Sequence, residues 1–295
     1  MSNLTLRLIT GSIFVVVLVG CILWNEWSMF ALLFAITVLG QNEFYRLARK
    51  ANAEPMPNGG IILGILLLTG FFCLRVYETG AVILLALSIP VAFTLFLVEL
   101  WRKKSNPMGN IAWTLLGVVY IAFPMGLLAR TFGPTHMYKG VAEVTTIYEP
   151  SRLITLFVLI WVSDSMAYVC GRLLGKRKLW ERISPKKTWE GFIGGLIFCV
   201  ATGSVLGYYW LSNHSMDKAI MWGIIALVVS VTGMLGDLVE SMFKRSIDVK
   251  DSGTILPGHG GILDRFDAMF IAAPFAVTVY YLYPIASHTV RLLFT

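Results

Sequence analysis

Residues 218–243 read KAIMWGIIALVVSVTGMLGDLVESMF, and from Ala219 to Gly236 not one of them is charged. An α-helix needs roughly 20 apolar residues to cross the ~30 Å hydrocarbon core of a bilayer, and this run supplies them. Lipid offers no partner to a free N–H or C=O, so a continuous apolar segment satisfies its backbone internally by becoming a helix. Asp237 and Glu240 stand at the end of the run. The sequence thus combines a membrane span with acids held at its boundary.

Similar runs occur at about 6–24, 27–47, 59–76, 80–101, 109–129, 152–174, 189–211 and 267–287. The expected fold is an all-α, polytopic membrane protein of about nine transmembrane helices. The second run is interrupted by Gln41, Asn42 and Glu43, and the third is short. The first run is long and no small-residue cleavage site follows it, so it reads as a retained span. Composition agrees. Of 295 residues, 57% are hydrophobic and only 14% charged, and mean hydropathy is +0.73. A soluble globule of this size cannot hide so much apolar surface. Disorder and coiled coil are excluded by sparse charge and many aromatics. The runs are continuous, which excludes the alternating pattern of an outer-membrane barrel.

The net charge of +7 reads as loops facing an anionic leaflet, with no nucleic acid implied. If the N-terminus is cytoplasmic, only Arg75, Arg130, Lys139, Arg152, Lys218 and Arg291 of the 24 Lys and Arg fall outside. The positive-inside bias therefore predicts a cytoplasmic N-terminus and an external C-terminus. Cys21, Cys73, Cys170 and Cys199 all lie in apolar runs without metal or disulfide spacing, and read as packing residues. Up to residue 150 the chain is apolar spans and short loops; after it, ionisable groups crowd together. Residues 1–150 (spans one to five) are expected to be a membrane scaffold, and 151–295 (spans six to nine) the catalytic helices and cytoplasmic loops.

Asp164 lies inside the run 152–174, where an unpaired carboxylate costs several kcal/mol and marks a candidate site. Tyr168 and Arg172 follow on the same helical face, so a purely structural pair with Asp164 is the competing reading. Ser184-Pro185 marks a turn. Lys186 and Lys187 follow, and Thr188 is placed to cap the next helix. Two lysines beside a helix N-terminus can cradle phosphates. Gly171/Gly175 and Gly191/Gly195 are read as close helix packing.

Farther on, Asp237, Glu240, Ser241 and Lys244 fall on one face of the last turns of the eighth span. Asp264 and Asp267 are one turn apart at the start of the ninth. Carboxylates so spaced at a membrane surface can bind a hard divalent cation, and Asp237, Asp264 and Asp267 converge if the two helix ends meet. The connecting loop carries Arg245, Lys250, His259, Gly260 and Gly261, with Arg265 just after it. Its bases and glycines can hold phosphate. Metal-binding acids with phosphate-binding bases are what phosphoryl or nucleotidyl transfer requires.

Ser241-Met-Phe-Lys244-Arg245, Lys250-Asp251-Ser-Gly253 and Leu256-Pro-Gly-His259-Gly260-Gly261-Ile-Leu-Asp264-Arg265-Phe-Asp267 together resemble the signature of the phosphatidate cytidylyltransferases, the CDP-diacylglycerol synthases. The stretches Asp164…Lys176 and Ser184–Gly191 also resemble that family. The N-terminal half matches only as a hydropathy pattern. The resemblance implies conversion of phosphatidate and CTP to CDP-diacylglycerol and pyrophosphate. It implies Mg²⁺, with a monovalent cation such as K⁺ as a second ion, nine helices and a homodimer. It places the metal on Asp237, Asp264 and Asp267.

The expected catalytic set is then Asp237, Asp264, Asp267, Lys244 and Lys250. Ser184, Lys186, Lys187, Ser241, Arg245, His259, Gly260, Gly261 and Arg265 are expected to bind substrate phosphates, with Asp164, Arg172 and Glu240 in support. The attacking phosphate is already ionised at neutral pH, so His259 is assigned hydrogen bonding rather than proton transfer. The competing readings are a CTP-dependent lipid or polyprenol kinase and an ion-coupled transporter with Asp164, Asp237 and Glu240 as a relay. The transporter requires acids at the bilayer midplane and inverted repeats. Here the acids cluster at helix ends and no repeat is visible. A short N-terminus without a transit pattern suggests a bacterial inner membrane, with the site facing the cytoplasm.

Overall fold

The computed structural model describes residues 3–139, 143–212, 214–253, 255 and 260–294. Helices dominate: α1 (Asn3–Trp24), α2 (Glu26–Lys50), α3 (Pro57–Cys73), α4 (Glu78–Arg102), α5 (Pro107–Gly117), α6 (Phe123–Phe132), α7 (Pro150–Leu174), α8 (Trp189–Tyr209), α9 (Met216–Ser246) and α10 (Leu263–Phe294). Among the described residues, six stretches are long and apolar enough to cross a bilayer: Glu78–Arg102, Pro107–Phe132, Pro150–Leu174, Trp189–Tyr209, Met216–Ser246 and Leu263–His288. Ile9–Trp24 and Pro57–Cys73 are shorter apolar helices. The chain is therefore a multi-pass membrane protein. Helix α4 shows it most plainly, since only 17% of its most apolar window is buried. Ile83, Leu87, Phe93 and Leu100 point outward, which suits lipid and not water.

Local chemistry sets the helix ends. Asn25 alone separates α1 from α2 and caps the latter in a capping box with Ser28. Pro57 and Pro107 open α3 and α5 at positions whose N–H has no helical partner. Residues Val118–Ala122 form a π-turn between α5 and α6. Pro124 follows it and has no N–H to donate, so the helix shifts register instead of breaking.

The fold is all-α as expected, with short hairpins in two of its loops. Strands β1 (Thr135–Lys139) and β2 (Glu143–Ile147) form an antiparallel hairpin. Strands β3 (Lys178–Trp180) and β4 (Ser184–Thr188) form another. Ser184-Pro185 is accordingly not the turn. The chain reverses just before it, where the Ile183 amide donates to the Trp180 carbonyl at 3.3 Å.

Two compact units emerge: 1–150 with 243–266, and 151–242 with 267–295. The division falls within α9 and α10. The first unit packs α3 against α4 and α6, with Phe44, Tyr45, Leu63, Met125 and Leu128 in its interior. Phe243 joins this core through ring contacts with Phe44 and Tyr120. A buried polar chain ties its helices together. Asn110 donates to Glu99 (2.7 Å) and accepts from the Glu54 amide (2.7 Å). Tyr45 donates to the Thr114 carbonyl at 2.9 Å.

The second unit is built on close backbone approach. A Cβ at Gly191 would lie 2.6 Å from the Ala167 carbonyl, and one at Gly195 2.6 Å from that of Ser163. That fits α8 against α7, as the small-residue spacing predicts. Ser163 and Ser230 share a buried hydroxyl–hydroxyl bond of 2.8 Å between α7 and α9.

Candidate active site

In the second unit, α7, β4 and α9 frame a groove of about 290 Å³ lined by Asp164, Tyr168, Lys187, Thr188, Phe192 and Asp237. Lys187 Nζ reaches Asp237 Oδ2 at 2.5 Å. Ser241, one turn after Asp237, donates to its Oδ1 at 3.2 Å. Thr188 caps α8 by accepting from the Gly191 amide, as its position in the sequence predicts. The two lysines of β4 differ: Lys187 is half-buried against Asp237, while Lys186 is exposed. Ser184 is half-buried at the start of the strand. Asp164 shares the groove with Lys187 and Asp237, whereas Arg172 is exposed in the last turn of α7. Glu240 is buried, at 2% exposure. Gly236 lies where a Cβ would come 2.6 Å from the Asp267 carbonyl. The α9 backbone beside Asp237 and the α10 backbone at Asp267 are therefore in close contact.

In the first unit, Lys244 donates to Asp264 Oδ1 at 2.6 Å. Asp264 Oδ2 accepts from the Gly261 amide (2.8 Å), the Ser252 amide (2.9 Å) and the Ser252 hydroxyl (2.9 Å). The connecting loop is thus wrapped around this carboxylate. Gly260 makes the wrap possible: its φ is +83, and a Cβ there would meet Asp264 Oδ2 at 2.5 Å. Arg245 is exposed and donates to the Val249 carbonyl at 3.3 Å. Lys250 and Arg265 are also exposed. His259 lies outside the described residues.

Two participants were not identified as site residues from the sequence. Ser252 holds Asp264, as above. Glu43 of α2, at 1% exposure, accepts at Oε2 from the Leu263 amide (3.0 Å), and the Ser252 hydroxyl that donates to Asp264 lies 3.1 Å from the same oxygen. The signal for Glu43 was present in the charge that interrupts the second apolar run.

Among the described residues, no three His, Cys, Asp or Glu side chains are gathered into a metal cage. Asp237 and Asp264 each hold a lysine ammonium instead. These are hard oxygen donors already arranged to stabilise a positive charge, which is the chemistry Mg²⁺ requires.

Each unit therefore pairs an acid with a partly buried lysine, Asp237 with Lys187 in one and Asp264 with Lys244 in the other. The model of the cytidylyltransferase family matches residues 5–283, and the chain belongs to that family. It is 31% identical over 278 residues to the phosphatidate cytidylyltransferase of Bacillus subtilis, covering 93% of this chain and 97% of that protein. It is 49% identical over 186 residues to the Staphylococcus saprophyticus enzyme of the same name, covering 63% and 65% of the two chains. The Staphylococcus aureus counterpart is 52% identical over 118 residues, 40% and 44% of the two chains.

Proposed function

We infer that this chain transfers a cytidylyl group from CTP to phosphatidate, giving CDP-diacylglycerol and pyrophosphate for phospholipid synthesis. The observation that carries the reading is the match to a phosphatidate cytidylyltransferase over 93% of the chain. An oxygen of the phosphatidate phosphate bonds to the α-phosphorus of CTP, and the bond from that phosphorus to pyrophosphate breaks. The attacking oxygen is already ionised at neutral pH, so no side chain has to remove a proton. Catalysis then consists of positioning and charge neutralisation. Lys187 and Lys244 are the partly buried bases nearest the acids, and they take the phosphate charge. Lys250, Arg245, Arg265 and Lys186 meet phosphates at the exposed edge, with Ser184, Ser241, His259 and the amides of Gly260 and Gly261 as hydrogen-bonding groups. Asp164, Arg172 and Glu240 support them.

Asp237, Asp264 and Asp267 are the ligands assigned to Mg²⁺, and the family resemblance adds a monovalent cation such as K⁺. Bound there, Mg²⁺ neutralises charge on the phosphate oxygens. Nine crossings, a cytoplasmic N-terminus, an external C-terminus and a location in the bacterial inner membrane complete the proposal. CTP then arrives from the cytosol while phosphatidate keeps its acyl chains in the bilayer. The homodimer rests on the family resemblance.

The deciding experiment incubates purified protein with phosphatidate, Mg²⁺ and CTP labelled in the cytidine. Label in the lipid phase, with release of pyrophosphate, is expected. Release of CDP with no cytidine in the lipid would establish a kinase instead. Turnover of neither kind, with ion flux in vesicles, would establish a transporter.

A further inference from the structure

We infer that Glu43, in the N-terminal half of the chain, is a positioning residue that sets the place of Asp264 and of the loop around it. This rests on the proposal that Asp264 belongs to the reaction centre.

A carboxylate at 1% exposure in an apolar helix is costly unless it does something for its neighbours. Glu43 Oε2 accepts the Leu263 amide at 3.0 Å. Leu263 is the first residue of α10, and its N–H is one of the donors a helix start leaves unpaired. A negative charge at that end also complements the helix dipole. Glu43 thus caps α10 from a helix some 220 residues earlier in the chain. Asp264 is the next residue.

The second contact runs through Ser252. Its hydroxyl lies 3.1 Å from Glu43 Oε2 and 2.9 Å from Asp264 Oδ2, so it is fixed between the two carboxylates. Its amide also donates to Asp264. Displacement of Glu43 therefore loosens both the residue before Asp264 and the serine that holds it.

The glycines of the loop complete the argument. A Cβ at Gly253 would strike Glu43 Oε1, and a Cβ at Gly261 would strike Glu43 Oε2 and the Ser252 hydroxyl. Two glycines of the sequence signature are therefore required by a side chain outside it. Among the described residues Oε1 itself is buried without a hydrogen-bond partner, and its close fit against Gly253 leaves the carboxyl group little room to rotate.

The test compares E43A, E43Q and D264N in purified, detergent-solubilised protein. The group that supports a reacting carboxylate is worth roughly 10–100-fold in activity. E43A should lower kcat by that amount, with KM for CTP changed less than about threefold on the same scale. E43Q keeps one oxygen for Leu263 and Ser252, and should recover at least about tenfold of the E43A loss. Hydrogen exchange gives a readout independent of activity. The Ser252 and Gly261 amides bond Asp264, not Glu43, so they exchange faster in E43A only if the loop has been released. Normal kcat in E43A, an E43Q as poor as E43A, a loss confined to KM, or unchanged protection at Ser252 and Gly261 overturns the inference. D264N separates the two levels. If D264N is active, the assignment of Asp264 fails. If D264N is dead and E43A is active, only the role of Glu43 fails.

Discussion

Lys244 Nζ lies 2.6 Å from Asp264 Oδ1, and both side chains are largely withdrawn from solvent, at 12% and 7% exposure. A pair this buried answers differently to loss of one partner and to loss of both. Removing the lysine alone leaves an uncompensated carboxylate at a cost of about 3–5 kcal/mol. K244M should therefore melt markedly earlier in detergent and make no CDP-diacylglycerol. The double variant K244M/D264N should regain most of the melting temperature and remain inactive. Recovery of turnover along with stability would mean that neither residue serves the reaction.

The two lysines of β4 should be unequal. Lys187 faces Asp237 and the groove, whereas Lys186 is exposed. A hydrogen bond to a charged group contributes about 2 kcal/mol net, which corresponds to about thirtyfold in rate. K187A should lose about thirtyfold more kcat/KM than K186A. Equal losses would place both in an undifferentiated basic surface. A double-mutant cycle of K187A with D237N should also be strongly non-additive, since the two groups touch.

The difference between these lysines marks where the sequence stops being informative. Apolar runs report on lipid directly, so the helices were legible wherever a span was continuous, and the acids at their ends stood out against that background. The pairing Asp237–Ser241 follows from i, i+4 spacing on one helix, whereas Asp264–Lys244 joins residues 20 positions apart and needs a folded loop. Strand β4 was not legible. Ser-Pro is compositionally a turn, but here the reversal comes three residues earlier and β4 pairs with β3 at Lys178–Thr188. A pair of adjacent lysines gives no hint of which is the more buried. Glu43 was visible as an anomaly but not as a partner, because nothing local links it to a residue 220 positions away.

Gly260 should tolerate no side chain. Its φ of +83 is unfavourable for other residues, and an added Cβ would press on Asp264 Oδ2. The backbone strain is about 1–2 kcal/mol, too little to unfold the protein. G260A should therefore stay folded by thermal melting, yet lose cytidylyl transfer because Asp264 has moved. Wild-type activity in G260A would show that the carboxylate position is not critical.

The buried chain through Glu99 and Asn110 should matter for stability and not for chemistry. Asn110 links α5 to Glu99 of α4 and to the Glu54 amide. N110A leaves both groups without that partner, at a cost of about 1–3 kcal/mol. The expected variant melts earlier but keeps its KM for CTP and its kcat per folded molecule. A shift in KM would connect this network to substrate binding.

Orientation can be read with single cysteines. The hairpin β3–β4 carries Lys178, Arg182 and Lys186 outward, with more bases on either side of it. Translocating such a segment opposes the positive-inside bias. Hairpin β1–β2 precedes the same helix, α7, and should therefore lie across the membrane from it. In a background with Cys21, Cys73, Cys170 and Cys199 replaced by alanine, R182C should react with an impermeant maleimide only in inverted vesicles, and T145C only in intact cells. The reverse pattern would put Lys187 and Asp237 on the side that CTP never reaches, and the enzyme could not work as proposed. Labelling of both positions from one side would remove α7 from the set of crossing helices.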